Sequence, residues 1–99
     1  RRVQLVALAT LRSHEGRVSG VSENLSDVGL FVSTWHPPPL GAAVDVELAL
    51  PDGGSAIRAA GIVRWHRSDK EVTTGCGVIF VDESIDITDK VMQLYDAQK

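Results

Sequence analysis

Between residues 42 and 50 apolar and polar side chains alternate: Val44, Val46, Leu48 and Leu50 fall to one side, Asp45 and Glu47 to the other. A period of two is the pleat of a β-strand with one buried and one wet face. Gly41 precedes this run and Pro51-Asp52-Gly53-Gly54 follows it. Such a turn cluster supplies the backbone freedom that a tight reversal needs, so a hairpin into the next strand is expected. That next strand, residues 56–66, puts Ile57, Ala59, Gly61, Val63 and Trp65 on one face and Arg58, Arg64 and His66 on the other. Alternation therefore places Trp65 on the core side.

Other segments share the pattern. After a polar loop over 67–73, Gly75-Cys76-Gly77-Val78-Ile79-Phe80-Val81 is a short apolar run bounded by turn residues, as in a strand buried on most of its surface. Residues 3–12 are β-capable, 17–22 form a short strand after the turn His14-Glu15-Gly16, and 30–35 form another. Six closely spaced strands in 99 residues predict an all-β barrel or sandwich. Only the end changes period: Ile87, Val91, Leu94 and Tyr95 make one helical stripe, with Ser84 or Asp86 as its cap. Pro37-Pro38-Pro39 reads as a stiff loop between strands.

Length and charge narrow the function. A chain of 99 residues is one small domain, without room for a second lobe around a deep cleft. Ten Lys and Arg against 13 Asp and Glu leave a net charge of −3, which disfavours a grip on a nucleic-acid polymer. The single cysteine, Cys76, excludes an internal disulfide and a multi-thiolate zinc site. His14, His36 and His66 are far apart in sequence and form no metal-ligand or catalytic spacing. No apolar run reaches the roughly 18 residues that span a bilayer, and the start lacks the apolar middle of a signal peptide. The expectation is a cytoplasmic, non-enzymatic module with no metal and no cofactor.

The stretch that carries chemistry is Asn24-Leu25-Ser26-Asp27-Val28-Gly29, running straight into Leu30-Phe31-Val32. By itself, Asn-x-Ser-x-x-Gly is also what an Asx or Ser turn requires. In order along the chain come Pro38-Pro39-Leu40-Gly41, the strand from Val44 to Leu50, Gly61-Ile62-Val63-Arg64 and Gly75-Cys76-Gly77-Val78-Ile79-Phe80. With these pieces in register, nearly all of the chain resembles the PilZ domain family of bacterial cyclic di-GMP receptors. The run from Ser22 to Ser33 looks most like variants found in deltaproteobacterial genomes. Members open with Arg-x-x-x-Arg, and Arg2 before Val3-Gln4-Leu5 stands as the second of those arginines. The first would fall before Arg1, and Leu5 and Val6 stand where a partner of Arg1 or Arg2 would be if the element began at either.

The resemblance implies a six-stranded antiparallel β-barrel with a C-terminal α-helix, residues 1–99 being one domain of a longer multidomain protein or the whole of a small one. It implies cyclic di-GMP as ligand, with Arg1 and Arg2 on a closing arm that holds the phosphates, because a guanidinium fork matches phosphate and lies flat on a purine. Asn24 and Ser26 would bond the guanine edge, Gly29 would allow close approach, and Trp65 would offer a stacking face. The output would pass to an attached signalling domain or a partner protein; the oligomeric state is open. The alternative is a degenerate PilZ domain that binds no nucleotide and acts in protein–protein interaction.

Overall fold

The computed structural model describes residues 2–49 and 56–81, together with 89, 92, 93 and 96. Seven strands follow in order: β1 Arg2–Val3, β2 Leu8–Ser13, β3 Gly16–Ser26, β4 Gly29–Ser33, β5 Ala43–Leu48, β6 Ile57–Asp69 and β7 Val72–Phe80. Every pairing is antiparallel, and the order β3-β2-β5-β6-β7-β4 closes because β4 also pairs with β3. The result is a six-stranded barrel, which leaves no long unpaired edge. β1 is a short addition that pairs with the end of β3, Arg2 opposite Ser26 and Val3 opposite Leu25.

The alternation of β5 works as its sequence requires: Val44, Val46 and Leu48 are buried against Leu11, Leu25, Val32, Val63 and Val78. Each such side chain withdrawn from water contributes about 1.5–3 kcal/mol, and in a chain this small that apolar interior is the main force closing the barrel. One buried polar group interrupts it. Ser22 is fully buried, its hydroxyl donating to the Leu5 carbonyl and accepting from the Ala7 N–H at 3.1 Å. Ser22 thereby satisfies the Leu5 carbonyl and the Ala7 N–H, where β1 and β2 part company.

Several elements differ from the sequence expectation. β3 is longer than residues 17–22 and runs through Asn24 and Ser26, so only Asp27 and Val28 form the turn into β4. Residues 67–73 are not a loop: β6 and β7 meet at Lys70 and Glu71, with φ of 51° and 70°. Left-handed backbone at both positions matches the twist of the flanking strands, which is why so tight a hairpin forms. The turn expected over 51–54 lies outside the described residues, as does most of the expected C-terminal helix; Asp89, Met92, Gln93 and Asp96 have helical backbone. Among the described residues no helix is long and apolar enough to cross a membrane.

Candidate functional site

Two one-residue insertions decide what the outer face of β3, β4, β7 and β6 presents. In β3, Ser22 pairs with Val32 but Asn24 pairs with Phe31, so Glu23 is an extra residue. In β6, Val63 pairs with Val78 but Trp65 pairs with Gly77, so Arg64 is extra. Each bulge shifts the pleat by one, and every later side chain changes face. Strict alternation would put Asn24 inward with Ser22, and Trp65 inward with Val63. Both point outward instead, and Trp65 is 46% exposed. This corrects the core-side placement of Trp65. It also takes His66 to the inner register opposite the buried Cys76, where its Nε2–H donates to the Pro38 carbonyl at 2.8 Å.

The same register makes a row across four strands: Asn24 on β3, Phe31 on β4, Gly77 on β7 and Trp65 on β6. The glycine is obligatory, because a Cβ on Gly77 would lie 1.8 Å from the Trp65 indole, which therefore lies across its backbone. Gly75 plays the same part for Phe31, whose ring would meet a Cβ there at 2.8 Å. Gly75 and Gly77 lie inside the apolar run read from the sequence. They are a floor without side chains inside β7, on which two aromatic rings rest.

At the turn, Ser26 is a structural group first: the Val28 N–H donates to its Oγ at 3.2 Å and its hydroxyl donates to the Gly29 carbonyl at 3.3 Å. Asn24 is half-buried, and its side-chain amide has no hydrogen-bond partner among the described residues. Gly29 is buried, and the close approach it permits is that of β7, since a Cβ would stand 2.2 Å from the Val78 carbonyl oxygen. The Arg2 backbone is brought beside Ser26 by the β1–β3 pairing. Arg1 lies outside the described residues.

A cation absent from the sequence-based candidates joins this face. The guanidinium carbon of Arg67 lies 4.5 Å from the centre of the Phe31 ring. Its Nη2 is 2.8 Å from Glu23 Oε2, and its Nη1 donates to Glu23 Oε1 at 3.1 Å. Hydrogen bonding to Glu23 raises the Arg67 pKa further above the arginine range. No sequence signal marks Arg67, because its partners Glu23 and Phe31 stand 44 and 36 residues away and meet it only through strand pairing. Among the described residues no group of three or more His, Cys, Asp or Glu could hold a metal, and burial pushes the Cys76 thiol up to about 11, leaving it protonated.

Comparison with known proteins covers nearly the whole chain. Residues 1–96 match the family model for the PilZ domain. Among solved structures, the chain is similar to Escherichia coli YcgR in complex with c-di-GMP, with TM-score 0.80 and 11% identity over 99% of this chain and 44% of that one. It is similar to the Bacillus subtilis inhibitor of motility MotI/DgrA, with TM-score 0.77 and 16% identity over 98% of this chain and 49% of that one. The PilZ domain of CeSA from a cellulose-synthesizing bacterium is matched at TM-score 0.67 and 19% identity, over 100% of this chain and 99% of that one. The chain thus spans about half the length of YcgR and of MotI/DgrA. No curated protein sequence matches it.

Proposed function

The chain belongs to the PilZ domain family, and from that premise we propose that it is a non-catalytic receptor module for cyclic di-GMP, bound on the outer face of β3, β4, β7 and β6. The observation that carries the reading is the outward row of Asn24, Phe31, Gly77 and Trp65, with Arg2 held by its backbone next to Ser26. A cyclic dinucleotide presents two phosphates and two flat bases, and this face supplies amide donors, aromatic surface and arginine. The c-di-GMP complex of YcgR, built on the same fold, supports the choice of ligand.

The roles divide by chemistry. Arg2, with Arg1, neutralises the phosphates, each charge-assisted hydrogen bond being worth about 1.5–3 kcal/mol. The Asn24 amide donates to the guanine O6/N7 edge, as an unengaged N–H₂ must to gain from binding. Ser26 and Gly29 hold the turn that follows Asn24, and Trp65 offers its exposed indole as a wall. The N-terminal arm closes on the ligand: among the described residues β1 is joined to β3 by two residue pairs. Its movement changes the surface shown to an attached domain or partner protein.

Isothermal titration of the full-length protein with cyclic di-GMP, and with GMP as control, tests this. Micromolar or tighter binding is expected, weakened roughly ten- to a hundredfold by Arg2→Ala. A flat titration overturns the receptor reading and leaves the protein–protein module as the function of the same fold.

A further inference from the structure

If a guanine lies on this face, as the reading above holds, it needs a plane to lie on, and we propose that Arg67 is that plane: a stacking platform for one purine and a determinant of purine selectivity. The guanidinium is held by three residues. Phe31 lies beneath it at 4.5 Å, Glu23 takes its two Nη atoms at 2.8 and 3.1 Å, and Nε donates to Thr74 Oγ1 at 3.0 Å. Arg67 is also a cross-strand partner of Gly75, so nothing on β7 projects between it and the Phe31 ring.

The two side chains that grip its edge are both inserted residues. Glu23 is the extra residue of the β3 bulge, and Thr74 is the extra residue of β7, where Arg67 pairs with Gly75 but Ser68 pairs with Thr73. A bulge costs ladder hydrogen bonds and is kept where it re-aims a side chain. Here two bulges on different strands converge on a single guanidinium. A surface ion pair alone contributes little to stability, which does not account for two bulges.

What the arrangement provides is a flat group immobilised in advance. A free arginine side chain loses rotamer entropy on ordering; this one is ordered before any ligand arrives. The Arg67 side chain is 44% exposed, so the face turned away from Phe31 is open. Glu23 neutralises its charge, which makes it a poor phosphate anchor and leaves planarity as its asset. Its place is apt, because the ring beneath it belongs to Phe31, the partner of Asn24. A base bonded at its edge by Asn24 is thereby within reach of the guanidinium face.

The test compares the full-length wild type with Arg67→Lys, Arg67→Ala and Phe31→Leu, titrated with cyclic di-GMP and with the pyrimidine analogue cyclic di-UMP, with melting curves alongside. Stacking on one base is worth about 1–3 kcal/mol, so each variant is expected to weaken cyclic di-GMP by about tenfold or more while cyclic di-UMP changes less. Lysine keeps the charge and loses the plane, and it should not rescue. Phe31→Leu keeps Arg67 and removes its support, so it reports the platform even if Arg67→Ala melts early. Wild-type affinity in Arg67→Lys, or equal losses for the two ligands, overturns the platform while the receptor reading stands. No binding by the wild type overturns both.

Discussion

The barrel has two outer faces built from the same kind of strand, and they are unlike. On β2, β5 and β6 the register is unbroken, and charges of opposite sign stand opposite each other: Arg12 with Asp45, and Glu47 with Arg58 at 3.4 Å. Alanines 59 and 60 floor a depression of about 500 Å³ there. On β3, β4, β7 and β6 three register shifts occur, glycines replace side chains on the central strand, and the aromatic rings and Arg67 gather. Regular pairing sets opposite charges face to face and cancels them locally. Bulged pairing re-aims individual groups, as where it brings Glu23 onto Arg67. Volume does not separate the faces, since a depression of about 580 Å³ also opens beside Ser33, Thr34 and Thr74; the irregularity of the second face does.

Experiments that break the second face should do more than those that touch the first. The largest effect is expected from Gly29→Ala, whose new Cβ would stand 2.2 Å from the Val78 carbonyl oxygen. Backbone must move, at a cost of about 3 kcal/mol, and the melting temperature should fall by roughly 10–20 °C. Ser22→Ala comes next: with the hydroxyl gone, the Ala7 N–H and the Leu5 carbonyl lose a buried partner, for about 1–3 kcal/mol in denaturant unfolding. The same substitution should loosen β1 and speed amide exchange at Val3.

Gly77→Ala sharpens the comparison, since its Cβ evicts the Trp65 indole. Tryptophan emission should shift to longer wavelength, with cyclic di-GMP binding weakened severalfold. Asn24→Ala should weaken binding about tenfold, whereas Arg58→Ala on the far face should leave affinity unchanged and stability within about 0.5 kcal/mol. If Arg58→Ala cost as much as Asn24→Ala, the contrast between the faces would be wrong.

The smallest effect concerns pH. The Cys76 thiol titrates at about 11 when folded against 9.0 for the unperturbed group. A raised folded pKa means that its stabilising contribution is complete below pH 9 and is lost as pH rises toward 11. Urea midpoints across that range should fall for the wild type, and fall less for Cys76→Ala.

Much of the fold was legible because its signals are local. The alternation of Val44, Val46 and Leu48, and the apolar β7, follow from a pleat with one dry face. The Asn-x-Ser-x-x-Gly turn was legible for the same reason: Ser26 closes it with bonds two and three residues away. What escaped is the phase of the pleat. Alternation assumes that no residue is inserted, so it put Trp65 in the core. Nothing local distinguishes an inserted Glu23 or Arg64 from an ordinary strand residue. The insertion is visible only against the partner strand.

The amino-acid sequence by itself determined an all-β domain of about six strands, barrel or sandwich, and a motif at one turn, because hydrophobic period and turn chemistry act within a few residues. The tertiary structure alone decided that Asn24 and Trp65 share one outward row, that β7 is a bare floor beneath two rings, and that Arg67 is clamped by Glu23, Phe31 and Thr74. Those facts depend on which strands are neighbours and by how many residues they slip, and strand register is settled only when the barrel closes.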